Sequence, residues 1–355
     1  MNEPKTGGGR TAPESGSRVT EPAVALATLA RAGFFERLRK NLSILDGLLA
    51  VYFALMFCAV ALGSGPDHES CTRTVAIDFA CFALGIALTR GGVLRLGSTV
   101  NEVAYRITIF CSVFLSYFQL RHILPAVSAR AEDAAIFDFD MRTFGVEPSL
   151  AWDKYVSPHT TEWFAFFYFG YFFLVAVHVL AMMFNASNRF RIAHFTLGIC
   201  TLYLTGHLIY MLVPGWGPYR FLVARFEHPL EGGLFWRLVR ATVEGAGAQK
   251  DIFPSLHTAA PTYFAIFSFI HRKSLPYKFT WPFLAFAATQ IIVATMFLRW
   301  HYLVDIFAGL TLATLAGVGS FYVIRWEARR RDRIGAPPIF RILHVPWKST
   351  PPAGD

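Results

Sequence analysis

The sequence predicts an all-α, polytopic membrane bundle of about eight transmembrane helices, and three observations carry that expectation. Over 355 residues, 54% are hydrophobic and only 16% charged, with a mean hydropathy of +0.41, which no pair of soluble domains of this length matches. The apolar residues gather in runs close to the roughly 20 residues that a helix needs to cross a hydrocarbon core about 30 Å thick. Lys and Arg are distributed unevenly between alternate connections, as membrane topology requires. Aromatic residues reach 16%, with 35 Phe, a composition suited to lipid-facing helices and interfacial belts. The same figures exclude collagen, disorder of the whole chain and disulfide-stapled miniproteins.

In chain order, residues 1–42 are Gly/Pro/Ser-rich and then basic, with no apolar segment ending in a small-residue cleavage site, so they read as a cytoplasmic tail that is largely disordered. Val24 to Leu38 within it has the pattern of a short amphipathic helix for the membrane surface. The expected spans are 43–62, 75–89, 107–124, 163–184, 192–213, 255–271, 280–299 and 302–325. The second is short and carries Asp78, and the sixth is interrupted by His257, which an idle lipid-exposed helix would not tolerate well. Residues 43–106 therefore supply two additional spans, residues 107–325 a six-helix core, and residues 326–355 a basic cytoplasmic tail. Cys58, Cys81, Cys111 and Cys200 sit inside apolar runs and Cys71 in a connection, with no CxxC pattern, so neither redox chemistry nor a disulfide framework is expected.

Orientation follows from the basic residues. With the first tail inside, 22 of the 33 Lys and Arg fall on the inner side and 11 outside. Acids favour the outer connection 125–162, which holds Glu132, Asp133, Asp138, Asp140, Glu147, Asp153 and Glu162. Both ends are thus expected in the cytoplasm, with the chain in the plasma (inner) membrane. The net charge of +9 is explained by topology: the basic residues form no stripe over a polar surface, so no nucleic-acid partner is expected.

Three clusters on the outer side carry groups that are costly near lipid unless they are paired or line a wet cavity. They are Pro214-Gly-Trp-Gly-Pro-Tyr-Arg220, Lys250-Asp-Ile-Phe-Pro-Ser-Leu-His257, and Arg299-Trp-His-Tyr-Leu-Val-Asp305. His301 and Asp305 are four apart at a helix start, so both face one side and the carboxylate can hold one ring nitrogen as N–H. The other nitrogen then keeps a lone pair able to attack an electrophile or take a proton. His257 supplies a second imidazole as acid or base. Arg299, Arg220 and Lys250 are candidates to neutralise an anionic phosphoryl group. Taken singly, each has a plainer reading: an interfacial histidine as a structural hydrogen-bonder, an arginine snorkelling to lipid head groups. His178, His194 and His207 are assigned nothing.

Pro254-Ser-Leu-His257, followed 44 residues later by the histidine of Arg299-x-His-Tyr-x-x-Asp305, resembles the type-2 phosphatidic acid phosphatase superfamily. Within it, PSLH with HYxxD is similar to the inositolphosphotransferase and inositol phosphorylceramide synthase branch, over roughly residues 107–325. The resemblance implies that His301 is a nucleophile forming a phosphohistidine, that Asp305 orients it, and that His257 protonates the leaving alkoxide. It also implies that Ser255 and neighbouring amides help hold phosphate, and that neither a metal nor a cofactor is required. The chain departs from the family at its first motif, where Gly217-Pro-Tyr-Arg220 inverts the usual order, and at Arg299, which stands two residues before the nucleophile instead of six.

The expected activity is thus that of a lipid phosphatase or phosphotransferase acting on a lipid phosphoester, with the bilayer and that lipid as its partners. A non-catalytic lipid-binding or lipid-flipping protein on the same helices is the alternative. A metal hydrolase using His257, His301 and Asp305 as ligands is a third reading that fits the ligand types.

Overall fold

The computed structural model describes residues 31–184, 188–246 and 250–343. The greater part of the N-terminal tail and the end of the C-terminal tail lie outside the described residues, as does the first part of the expected amphipathic helix. Its remainder overlaps α1 (Phe34–Asn41). The spans are α2 (Ile44–Ala61), α3 (His68–Arg90) and α4 (Thr99–Val127). After two short helices, α5 (Asp133–Thr143) and α6 (Pro148–Ala151), come α7 (Pro158–Met183) and α8 (Arg189–Leu212). A single turn, α9 (Pro218–Phe221), and α10 (Leu234–Ala246) precede α11 (Leu256–Ile270) and α12 (Tyr277–Phe297). The last span begins as α13 (Leu303–Thr314) and continues through a π-turn at Leu315–Gly319 into α14 (Ser320–Arg333).

Seven of these helices, counting α13 to α14 as one, are long and apolar enough to cross a membrane. The chain is an integral membrane protein of the polytopic helical class. α11 is the shorter eighth: its 15 residues rise only about 22 Å. The second span begins at His68, seven residues before the expected start at 75. The polar stretch His68–Thr74 keeps its backbone bonds in the helix although its side chains give no apolar signal, so Cys71 belongs to a helix and not to a connection. Asp78 lies near Gln119 of α4, and its Oδ2 is buried without a hydrogen-bond partner among the described residues.

Helix starts follow from capping residues. Ser43 and Asp46 form a capping box at α2, Ser157 and Thr160 another at α7, and Ser98 and Asn188 accept amide hydrogens at α4 and α8. α8 is the most enclosed span and packs on α2, α4, α7, α11 and α14. α11 packs on α8, α12 and α13. Gly309 of α13 lets that helix approach the start of α11: a Cβ there would lie 2.6 Å from the Ser255 carbonyl oxygen.

At the end opposite the short helices, Asp46 accepts hydrogen bonds from Arg90 Nε at 3.2 Å and from Tyr105 Oη at 2.7 Å, joining α2, α3 and α4. Arg331, fully buried, donates to the carbonyls of Asn41 and Leu42 and to that of Pro337. These bonds hold the segment 336–343 against the bundle, burying Ile339, Phe340 and Leu343.

Candidate active site

The site is built at the start of α13. Asp305, with no exposed surface, accepts the Tyr302 amide at 2.9 Å and His301 Nδ1 at 3.3 Å on the same oxygen, Oδ2. The next free amides of the helix, those of Leu303 and Val304, donate to Asp140 of α5 at 2.7 and 3.0 Å. Two carboxylates therefore satisfy the amides that an α-helix start leaves over. With the proton on Nδ1, facing Asp305, Nε2 would keep the lone pair. The His301 ring is buried, and burial draws its pKa down to about 4 against the opposing pull of Asp251 and the Ile252 carbonyl.

α11 brings the second imidazole. Ser255 caps the helix, its Oγ accepting the Thr258 amide at 3.2 Å, while its own amide donates to the Asp305 carbonyl at 3.1 Å. That bond ties the two helix starts together. His257, in the first turn of α11, lies against Tyr168 and Tyr171 with ring centroids 4.5 and 4.2 Å away. Its Nε2 is buried without a partner among the described residues. The His257 and His301 ring centroids are 6.1 Å apart. Both rings line a cavity of about 60 Å³ together with Tyr168, Trp216, Tyr219, Asp251 and Trp300. That is several times the roughly 10–15 Å³ that one water occupies.

The three basic residues are placed differently from one another, and none is on the wall of this cavity. The Lys250 ammonium donates to the carbonyls of Ala129 and Arg130 at 2.9 and 3.0 Å and approaches that of Ser128 at 3.5 Å, closing the end of α4. The ammonium of this expected phosphate ligand also lies 5.3 Å over the ring of Trp216, a residue of the cavity wall. Arg299, in a left-handed conformation at φ 68°, pairs with Asp153 at 2.7 Å and donates to the His228 carbonyl. It anchors the chain before α13 to the connection 226–228. Arg220 is exposed and lies 3.6 Å over the Trp216 ring, beside Tyr219, at the mouth of the cavity. Ser255 is fully buried and its Oγ is engaged as the helix cap.

Sequence reasoning missed Asp251 and Trp300, although both stand next to residues it singled out. Asp251 stands half-buried beside His301, and desolvation raises its carboxyl pKa to about 7, against the pull of its own amide and of His301. Trp300 carries an indole N–H that is buried without a partner among the described residues, on the cavity wall. In the sequence, the acids of the connection 125–162 signal only topology. Asp133 accepts the amides of Trp216 and Gly217 at 2.9 and 2.8 Å and the Tyr302 hydroxyl at 3.1 Å. Gly217 is needed there, since it sits at φ 92° with its α-hydrogen side against the Trp300 carbonyl. Asp133 and Asp140 are seven apart on α5, two turns along one face, and their signal was that spacing. Glu162 gathers the amides of Gly233, Phe235 and Trp236 at the start of α10.

Asp140→Ala is expected to lower stability by about 1–3 kcal/mol, because two half-buried amides lose their acceptor, and Asp140→Asn by less, since one oxygen remains. Thermal unfolding of the two purified variants in one detergent checks this; equal melting temperatures for wild type and Asp140→Ala would remove the clamp.

Among the described residues no group of three or more His, Cys, Asp or Glu side chains is placed to hold a metal ion. The family model of the PAP2 superfamily matches residues 135–318, from within α5 into the π-turn, with α7, α8, α11, α12 and α13 inside the match and the first three spans and α14 outside it. No curated protein and no solved structure matches the chain. With just over half its length matched, including both histidines and Asp305, the chain belongs to the PAP2 superfamily.

Proposed function

We propose that this chain is a lipid phosphotransferase or phosphatase of the inositolphosphotransferase-like branch, acting through a phosphohistidine at His301. Superfamily membership and the membrane-helical fold fit a lipid phosphatase-type function. The observation that carries the finer reading is the 6.1 Å between the His257 and His301 rings. A phosphoryl group held by these two rings would meet His301 through phosphorus and His257 through the leaving oxygen. The His301 Nε2 lone pair forms the N–P bond as the P–O ester bond breaks, and protonated His257 gives its proton to the departing oxygen. In the second half an acceptor O–H loses its proton to His257, its oxygen attacks phosphorus, and the N–P bond breaks to restore His301. Asp305 fixes the tautomer. The Trp300 indole N–H and Arg220 at the mouth are the proposed phosphate contacts.

Transfer is favoured over hydrolysis by the walls of the cavity, which are mostly aromatic and suited to excluding water from the phosphoenzyme. The branch assignment is supported by Leu256, which stands in the motif next to His257 and packs directly on Gly206 of α8: a Cβ on that glycine would lie 2.7 Å from the leucine side chain. The site end is assigned to the extracytoplasmic face of the plasma (inner) membrane, with both tails cytoplasmic, on the 22 to 11 division of basic residues. The catalytic core is assigned to 107–325, with 43–106 as additional spans.

The test is incubation of purified protein with labelled lipid phosphates, including phosphatidylinositol, with and without lipid alcohols. A new lipid product supports transfer, and free phosphate alone supports a phosphatase. If no product forms and lipid crosses proteoliposome membranes at a rate indifferent to His257→Ala, the non-catalytic alternative replaces this reading.

Asp251 gives the activity a pH dependence. Its raised pKa of about 7 leaves it neutral below that value and anionic above. A carboxylate beside the phosphate position repels an anionic substrate, so KM is expected to climb as pH rises through about 7, and Asp251→Asn to flatten that limb. KM–pH profiles of the two proteins check this; identical profiles would remove Asp251 from the site.

A further inference from the structure

A second cavity, of about 510 Å³, lies below the first and takes no part in the phosphoryl step. Its volume falls in the range of about 300–1,000 Å³ usual for ligand pockets. The walls are Phe110 and Val113 of α4, Val175 and Val179 of α7, and Ile199 and Tyr203 of α8. At the upper end Tyr117, Phe172, Thr242, Asp251 and His257 line both cavities, so the chamber is continuous with the site. At the side, Phe114, Phe118 and Leu180 belong to the wall and are also 47%, 45% and 51% exposed, so the chamber opens laterally where the span faces hydrocarbon. At the far end it is closed by Phe340, 2% exposed, and by Arg106, whose guanidinium donates to the carbonyls of Met183 and Arg341. From Tyr117 to Arg106 the wall descends about 16 Å along α4.

We infer that this chamber receives a hydrocarbon chain of the lipid whose phosphoester lies between His257 and His301, and that Phe340 is the floor that limits its length. The chamber runs down the helices from the reacting position, which is the direction a lipid chain takes from its head group. Its wall is apolar and open to the bilayer on one side, so a chain enters without passing through water. Interiors that pack closely leave few voids, and one of this size loses contacts along its whole lining unless something apolar fills it. The floor is made by the segment 336–343, which gives that part of the chain a place in substrate selection. The identity of the lipid rests on the phosphoryl-transfer reading; occupancy of the chamber does not.

The test uses the full-length protein in nanodiscs holding a phosphatidic acid with a diazirine near the end of one chain, irradiated and mapped by mass spectrometry. Adducts are expected on Val113, Val179 and Tyr203. They should fall about tenfold, a loss of about 1.4 kcal/mol in binding, in Val113→Trp and in Val179→Trp, while adducts on outward Phe283 and Phe286 persist. Two variants on different helices guard against one that does not fold. Phe340→Ala should shift the preference between short-chain and long-chain phosphatidic acids toward the longer. Adducts confined to Phe283 and Phe286, or unaffected by either tryptophan, would overturn the chamber, and an unchanged chain preference in Phe340→Ala would overturn its floor. Chamber adducts on a protein that forms no product would keep the chamber and sink the phosphoryl-transfer reading, and turnover without chamber adducts would do the reverse.

Discussion

Replacing His301 by alanine is expected to cut product formation from a lipid phosphate by at least about 10³-fold, the scale on which loss of a nucleophile acts. The ring is held by Asp305 at 3.3 Å and is kept neutral over the physiological range by burial, with its pKa drawn down to about 4. The nucleophile is therefore ready above that pH and is lost as the pH falls through it, because protonation consumes the lone pair that attacks phosphorus. The substitution leaves Asp305 with the Tyr302 amide and α13 with its Asp140 contacts, so the helix start should survive. Product formation measured beside a thermal melt separates the chemical loss from unfolding. A folded His301→Ala protein with wild-type turnover would remove the nucleophile assignment.

Removal of His257 should cost about 10²–10⁴-fold, the usual contribution of a positioned general acid. This loss depends on the leaving group in a way that a packing defect does not. An alkoxide departs poorly without a proton, whereas an aryl oxide of low basicity departs without help. In His257→Ala the formation of the phosphoenzyme from an aryl phosphate should thus recover much of its rate, while that from an alkyl phosphate stays low. Equal losses on both substrates would make His257 a structural residue, held by its stacking on Tyr168 and Tyr171.

The spans were legible because the bilayer imposes apolar runs of defined length, and the helices extend past those runs only where polar ends continue the backbone pattern, as at His68–Thr74. The pairing of His301 with Asp305 was legible because four residues make one helical turn. That His257 lies 6.1 Å from His301 was not, since it depends on Gly309 admitting α13 to the start of α11 and on the bond from the Ser255 amide to the Asp305 carbonyl. The fates of Lys250 and Arg299 were hidden for a related reason. Their partners, Ala129, Arg130 and Asp153, are more than a hundred residues away, and a lone basic residue near a motif is equally compatible with a phosphate and with a carbonyl or carboxylate. Asp133 and Asp140 have no counterpart near them in sequence either, yet they arrange the two backbone segments that form the wall of the site.

The central claim is that two imidazoles act in sequence on one phosphorus, and rapid alkaline quenching of the enzyme with a ³²P-labelled lipid phosphate tests it most directly. The account predicts acid-labile, alkali-stable label on His301, persisting longest in His257→Ala fed an aryl phosphate, and absent from His301→Ala. Label recovered on another residue, or wild-type turnover with no labelled protein at any quench time, would contradict it.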